Sequence, residues 1–124
     1  MAILLKKETR ALVQGITGRE GSARAVFMRG VGTNVVAGVT PGRGGDEVSG
    51  IPVYNTVEEA TRAKGPFDVS VTFVPGTALK EAVFEALDAG IRWLVMPVER
   101  VPLYDILEIV AYGKQKDAML LGPG

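Results

Sequence analysis

The segment Gly15-Ile16-Thr17-Gly18-Arg19-Glu20-Gly21 holds the first residues of this 124-residue chain whose types and spacing suit chemistry. Glycines at these intervals let a turn tighten and let backbone approach a phosphate. A helix opening there would add free N–H groups and the positive end of its dipole. The Thr17 hydroxyl supplies one more hydrogen-bonding group. A plainer role stays open beside this one: Thr17 and Glu20 have the spacing of a capping box, and capping suits the Glu20 side chain best. Three later segments share the glycine and proline character: Thr40–Gly50, Val74–Thr77 and Met96–Pro102.

A dinucleotide site of the NAD type needs a carboxylate at the end of the second strand to hold the ribose hydroxyls. Here the chain runs Val39-Thr40-Pro41-Gly42-Arg43, with no acid. An arginine set among glycines suits a phosphorylated ribose instead, as in NADP or the 3′-phosphate of coenzyme A. Val74 and Pro75 would form a low rim for an adenine or a pantetheine chain, or simply a strand-to-helix turn. Pro97, Val98 and Glu99 stand in the last segment. Glu99, beside Arg100 and without a paired acid, makes a poor catalytic carboxylate.

Composition narrows the chemistry further. Histidine is absent, which removes the usual general base near neutral pH and any phosphohistidine carried on these residues. Cysteine is absent too, so no disulfide, thiolate metal site or cysteine nucleophile is available. Fourteen basic residues balance fourteen acidic ones, which gives no broad field for nucleic acid or an anionic membrane. The opening MAILLKKETR is charged too early for a signal peptide, and no apolar run approaches the ~20 residues of a membrane helix. The expectation is a cytoplasmic protein of one domain, residues 1–124.

These loops need elements to hold them. Arg10–Gly15, Asn34–Val39, Ile51–Tyr54, Asp68–Val74, Arg92–Met96 and Ala118–Leu121 are strand-like, several rich in β-branched residues. Helices are expected over Glu20–Gly30, burying Ala23, Val26 and Phe27, and after Thr56, whose box partner is Glu59. Two more follow: Ala78–Ala89 capped by Thr77, and Pro102 to about Lys116 with Leu103, Ile106, Leu107 and Val110 inward. Thr40–Gly50 is expected to be a long loop. Strands alternating with helices predict an α/β fold, a Rossmann-like doubly wound parallel sheet with helices on both faces. Right-handed crossovers favour the order 3-2-1-4-5.

Taken in order, GITGREG, VVAGVTPGRGG, GIPVYNTVEEA, FVPG, LDAGI and VERVP resemble the amino-terminal coenzyme A-binding domain of succinyl-CoA synthetase alpha subunits and related NDP-forming acyl-CoA ligases. VTPGRGG is the most specific part, and the resemblance spans nearly the whole chain. It implies coenzyme A as cofactor, with Thr17, Gly18, Arg19 and Glu20 around its phosphate and ribose side. Arg43, where the family usually has lysine, would engage the ADP portion. Val74 and Pro75 would line the adenine or pantetheine path, and Pro97, Val98 and Glu99 match the family's I-T-E segment.

The resemblance further implies a ligase beta-type subunit or a histidine-bearing domain as partner; self-association stays open. Two departures stand out. The family pattern T-E-G-I-P becomes Val98-Glu99-Arg100-Val101-Pro102, and the family's asparagine and cysteine after the last strand are missing from Gly122-Pro123-Gly124. An NADP-binding oxidoreductase domain, or a regulatory domain that has lost its cofactor, are the competing expectations.

Overall fold

The computed structural model describes residues 8–123; the apolar start of the amino-terminal decapeptide and Gly124 lie outside the described residues. β1 (Arg10–Gln14) forms the middle of a seven-stranded sheet. β2 (Asn34–Val39) and β5 (Val69–Thr72) flank it, both parallel to it. Beyond β2 lie β4 (Ile51–Tyr54) and then β3 (Glu47–Val48); beyond β5 lie β6 (Trp93–Val95) and β7 (Met119–Leu121). Counting parallel strands only, this is the expected 3-2-1-4-5 order with one more strand at the far edge. Chain direction across the sheet reverses at β1, the position where open α/β sheets leave a crevice.

Ala11, Leu12 and Val13 are fully buried, as a central parallel strand covered on both faces requires. Val13 packs with Ile16 and Ala25 of α1 (Arg19–Gly30). Leu12 belongs to a larger cluster with Val57 and Ala60 of α2 (Val57–Lys64), Val83 and Leu87 of α3 (Leu79–Asp88), and Ile109 of α4 (Leu103–Gln115). One helix therefore covers one face of the sheet and three cover the other.

Several local expectations are corrected. In α1 the buried residues are Gly21 and Ala25, while Ala23, Val26 and Phe27 are exposed, Phe27 by 61%. The reason is close approach. A Cβ on Gly21 would stand 2.1 Å from the Gly15 carbonyl oxygen, so only small residues fit the contacting face. In α4, Ile109 and Gly113 are buried, Ile106 is half-buried, and Leu103, Leu107 and Val110 face outward. Gly113 lies against Leu120, again where a larger residue would collide.

Caps and turns differ as well. Thr56 accepts from the Glu59 amide at 3.0 Å, which is half of the expected box; the Glu59 carboxylate reaches one residue further back and accepts from the Asn55 amide at 3.3 Å. Thr77 does not cap α3. The residue at that position is Ala78, without a side-chain bond, and a 3-10 turn over Gly76–Ala78 leads into the helix. Thr40–Gly50 is not loop throughout, because β3 pairs antiparallel with β4 inside it. Ser49 and Gly50, at φ 50 and 84, make the two-residue turn such a hairpin favours.

Candidate functional site

Four loops leave the carboxyl ends of β1, β2, β5 and β6, and their backbones interlock. The Gly15 amide donates to Val39 O at 2.7 Å and the Phe73 amide to Gln14 O at 2.8 Å. The Thr17 amide donates to the Thr40 hydroxyl at 3.3 Å. Gly15 has φ 80, and a Cβ there would come within 2.0 Å of Phe73 O, so this position admits glycine alone. A Cβ on Gly76 would lie 2.4 Å from Arg100 O, which ties the loop after β5 to the loop after β6. Widely separated stretches of sequence thus share one rim.

Helix α1 opens onto that rim. The expected capping box does not form: Gly18 stands at the N-cap with extended backbone (φ −69, ψ 165), and no side chain accepts from the first amides of the helix. Glu20 instead points its role elsewhere, as an exposed residue of the cleft below. The first amide of the helix with an acceptor is Ser22, which donates to Gly18 O at 2.9 Å. Among the described residues nothing accepts from the amides of Arg19, Glu20 and Gly21. Three donors and the positive dipole end are therefore available to an anion.

Two adjoining clefts meet at Gly18, Val74 and Pro75. One, of about 530 Å³, is lined by Arg19, Glu20 and Gly21 on one side and by Pro97, Val98 and Glu99 on the other. The second, of about 380 Å³, lies against Thr17, Thr40 and Pro41, with Ala78, Ala82 and Glu85 of α3 as its far wall. Nine of the ten residues singled out from the sequence, all but Arg43, thus come to one mouth. Arg43 lines neither cleft; its Nε meets Asp46 Oδ2 at 2.6 Å on the exposed turn after β2. A larger hollow of about 650 Å³ lies between α2 and α3 and shares Glu81 and Glu85 with this mouth.

Sequence reasoning overlooked Gln14 and the α3 wall. The wall had a signal, since Ala78, Glu81, Ala82 and Glu85 repeat at helical spacing. Gln14 had one too: it is the polar residue that closes β1 after Ala11, Leu12 and Val13.

The arrangement offers an anion-binding helix end between an open charged cleft and a mostly apolar one. Residues 6–99 match the family described as the CoA binding domain. The chain belongs to that family. It is 52% identical over 123 residues, 99% of its length, to succinate–CoA ligase (ADP-forming) subunit alpha 1 of Archaeoglobus fulgidus, covering 42% of that protein. To the corresponding alpha subunit of Aquifex aeolicus it is 49% identical over 125 residues, covering 41%. The fold also matches ATP citrate lyase from Methanothrix soehngenii, solved in complex with citrate and coenzyme A. That match has a TM-score of 0.77 at 23% identity over 98% of this chain and 21% of the other. The chain therefore spans about two-fifths of the curated relatives it matches. Among the described residues no helix is long and apolar enough to cross a membrane.

Proposed function

We propose that this chain is a coenzyme A-binding module of an acid–thiol ligase resembling succinyl-CoA synthetase, and that it positions the cofactor without itself making or breaking bonds. The uncapped start of α1, opening between two clefts, is the observation that carries this reading. The residues fit the group. A diphosphate needs several donors and a cation, and the amides of Arg19, Glu20 and Gly21 lie beside the exposed Arg19 guanidinium. Gly18 leaves the approach clear, since no atom nearer than 3.5 Å would meet a Cβ built there.

In this scheme Val74 and Pro75 form the ridge over which the cofactor passes from one cleft to the other. Pro97, Val98 and Glu99 bound its outer side. The Thr17 hydroxyl and Glu20 serve the ribose and phosphate side. Arg43 reaches the ribose 3′-phosphate by exchanging its carboxylate partner, because an exposed ion pair such as Arg43–Asp46 is worth at most about 1 kcal/mol. Bound coenzyme A supplies a thiol nucleophile. The module's contribution is to hold that thiol in place, which converts an encounter into an effectively unimolecular step.

With no histidine among its 124 residues, this chain offers no phosphohistidine. A phosphoryl relay would come from a histidine-bearing domain or a beta-type subunit, the partners this reading calls for.

Calorimetric titration tests the reading with three ligands: coenzyme A, dephospho-coenzyme A and NADP⁺. Coenzyme A is expected to bind one to one and NADP⁺ not at all. Arg43→Ala should weaken coenzyme A about tenfold, as for a lost charged hydrogen bond, and leave dephospho-coenzyme A unchanged. Equal losses for both ligands would remove Arg43 from the phosphate. Preference for NADP⁺ would replace the reading by an oxidoreductase domain.

A further inference from the structure

We infer that Gln14 is a positioning residue that sets the width of the inner cleft by clamping α3 to the rim of the sheet. The inference rests on the binding role proposed above. Gln14 is only 2% exposed, and it ends β1 at the point where the glycine loop begins. Its Nε2 donates to the carbonyl of Ala82 in α3 at 2.9 Å. Its Oε1 accepts from the hydroxyls of Ser70 at 2.6 Å and Thr72 at 3.2 Å, both on β5. Ser70 and Thr72 are fully buried in turn.

The amide orientation is fixed by chemistry. A carbonyl only accepts, so Nε2 must face Ala82, and Oε1 is left to the two hydroxyls. One side chain thus joins β1, β5 and α3 in a satisfied buried network.

Those three elements carry the inner cleft. Gln14 and Gly15 lie on its floor, Phe73 and Val74 follow β5 on one side, and Ala82 belongs to the opposite wall. A single apolar contact would hold α3 near the sheet but would not fix its height, since packing is non-directional. A hydrogen bond to a named carbonyl fixes both distance and direction. A polar trio in the middle of an apolar core is unneeded for burial alone, because an apolar set of the same shape packs with little loss.

That last point supplies the test. Gln14→Met alone strands two buried hydroxyls, so it should lower both the melting temperature and the affinity for coenzyme A. The triple variant Gln14→Met, Ser70→Ala, Thr72→Val removes the whole network and leaves no stranded group. Its melting temperature should return close to that of the parent, while its dissociation constant stays raised about tenfold or more, because the wall is no longer pinned. Recovery of both quantities together would overturn the inference and leave the trio a structural element only.

If the triple variant does not fold, Ser70→Ala with Thr72→Val keeps the bond to Ala82. Its affinity should stay within about threefold of the parent despite any loss of stability; a tenfold loss would contradict the clamp. Should the parent chain bind no coenzyme A, the binding role fails separately. Hydrogen exchange then decides the clamp. Gln14→Met should speed exchange at residues 78–85 and 15–18 more than in β2 or α2, and a uniform increase would refute it.

Discussion

Arg100 holds its backbone at φ 60, in the left-handed region that glycine enters freely and other residues enter at a cost of about 1 kcal/mol or more. The family pattern T-E-G-I-P has glycine at this place, so the loop geometry is the one a glycine would choose and the arginine tolerates it. Arg100→Gly should therefore stabilise the fold by up to about 1 kcal/mol, offset in part by the greater freedom of the unfolded chain. Denaturant titration measures this, and an unchanged or lower midpoint would show that the arginine has a compensating contact. Gly18 is the opposite case. Its φ of −69 suits any residue, and a Cβ there meets nothing closer than 3.5 Å. Gly18→Ala should leave the melting temperature within a degree or two, yet weaken coenzyme A about tenfold by placing a methyl group where both clefts meet. Equal affinity for the variant would move the cofactor away from this rim. These residue-scale features were legible in part. The glycine loops announced themselves, whereas Arg100 stood out only as a departure from the family's T-E-G-I-P, because an arginine in a sequence carries no mark of its φ.

At the scale of elements, strands and helices were easier to place than the faces they bury. Runs such as NVVAGV and DVSVTFV sit between glycine and proline loops, so strand positions followed from residue type. Helix faces did not. In α1 and α4 the contacting residues include Gly21, Ala25 and Gly113, chosen for close approach, and the large apolar residues nearby face outward. Hydrophobic periodicity reports volume and cannot see a contact whose requirement is smallness. The α3–α4 joint adds a pH effect. The Tyr112 hydroxyl donates to Asp88, and its ring stacks on Phe84 with centroids 4.4 Å apart. The hydrogen bond to Asp88, then burial, then the charge of Asp88 raise the phenol above its ordinary 10.0. This contribution is complete below about pH 10 and lost as pH climbs through the raised value, since the phenolate cannot donate and repels the carboxylate. Lys80 behaves likewise from 10.5, raised chiefly by its hydrogen bond to Glu108. Melting temperature should therefore fall above pH 10, and Tyr112→Phe should flatten that fall without abolishing it. An equally steep alkaline limb in the variant would assign the effect to Lys80 or elsewhere.

For the whole molecule, the order β4-β2-β1-β5-β6-β7 places the reversal at β1, and the loops after β1, β2, β5 and β6 interlock there. This convergence was inferable from the alternation of strands and helices with the handedness of crossovers. The α3 wall and Gln14 left local signals, but their place at the mouth depends on how closely α3 packs on the sheet, a tertiary distance those signals do not carry. The chain covers about two-fifths of the ligase subunits it resembles, and cofactor placement is the share of the reaction we propose for it. Amide chemical-shift mapping during titration with coenzyme A tests the single mouth most directly. The amides of Arg19, Glu20, Gly21, Val74 and Glu99 should shift together, with one saturation curve. No shift at millimolar coenzyme A, or shifts confined to Arg62, Lys80 and Phe84 in the hollow between α2 and α3, would contradict it.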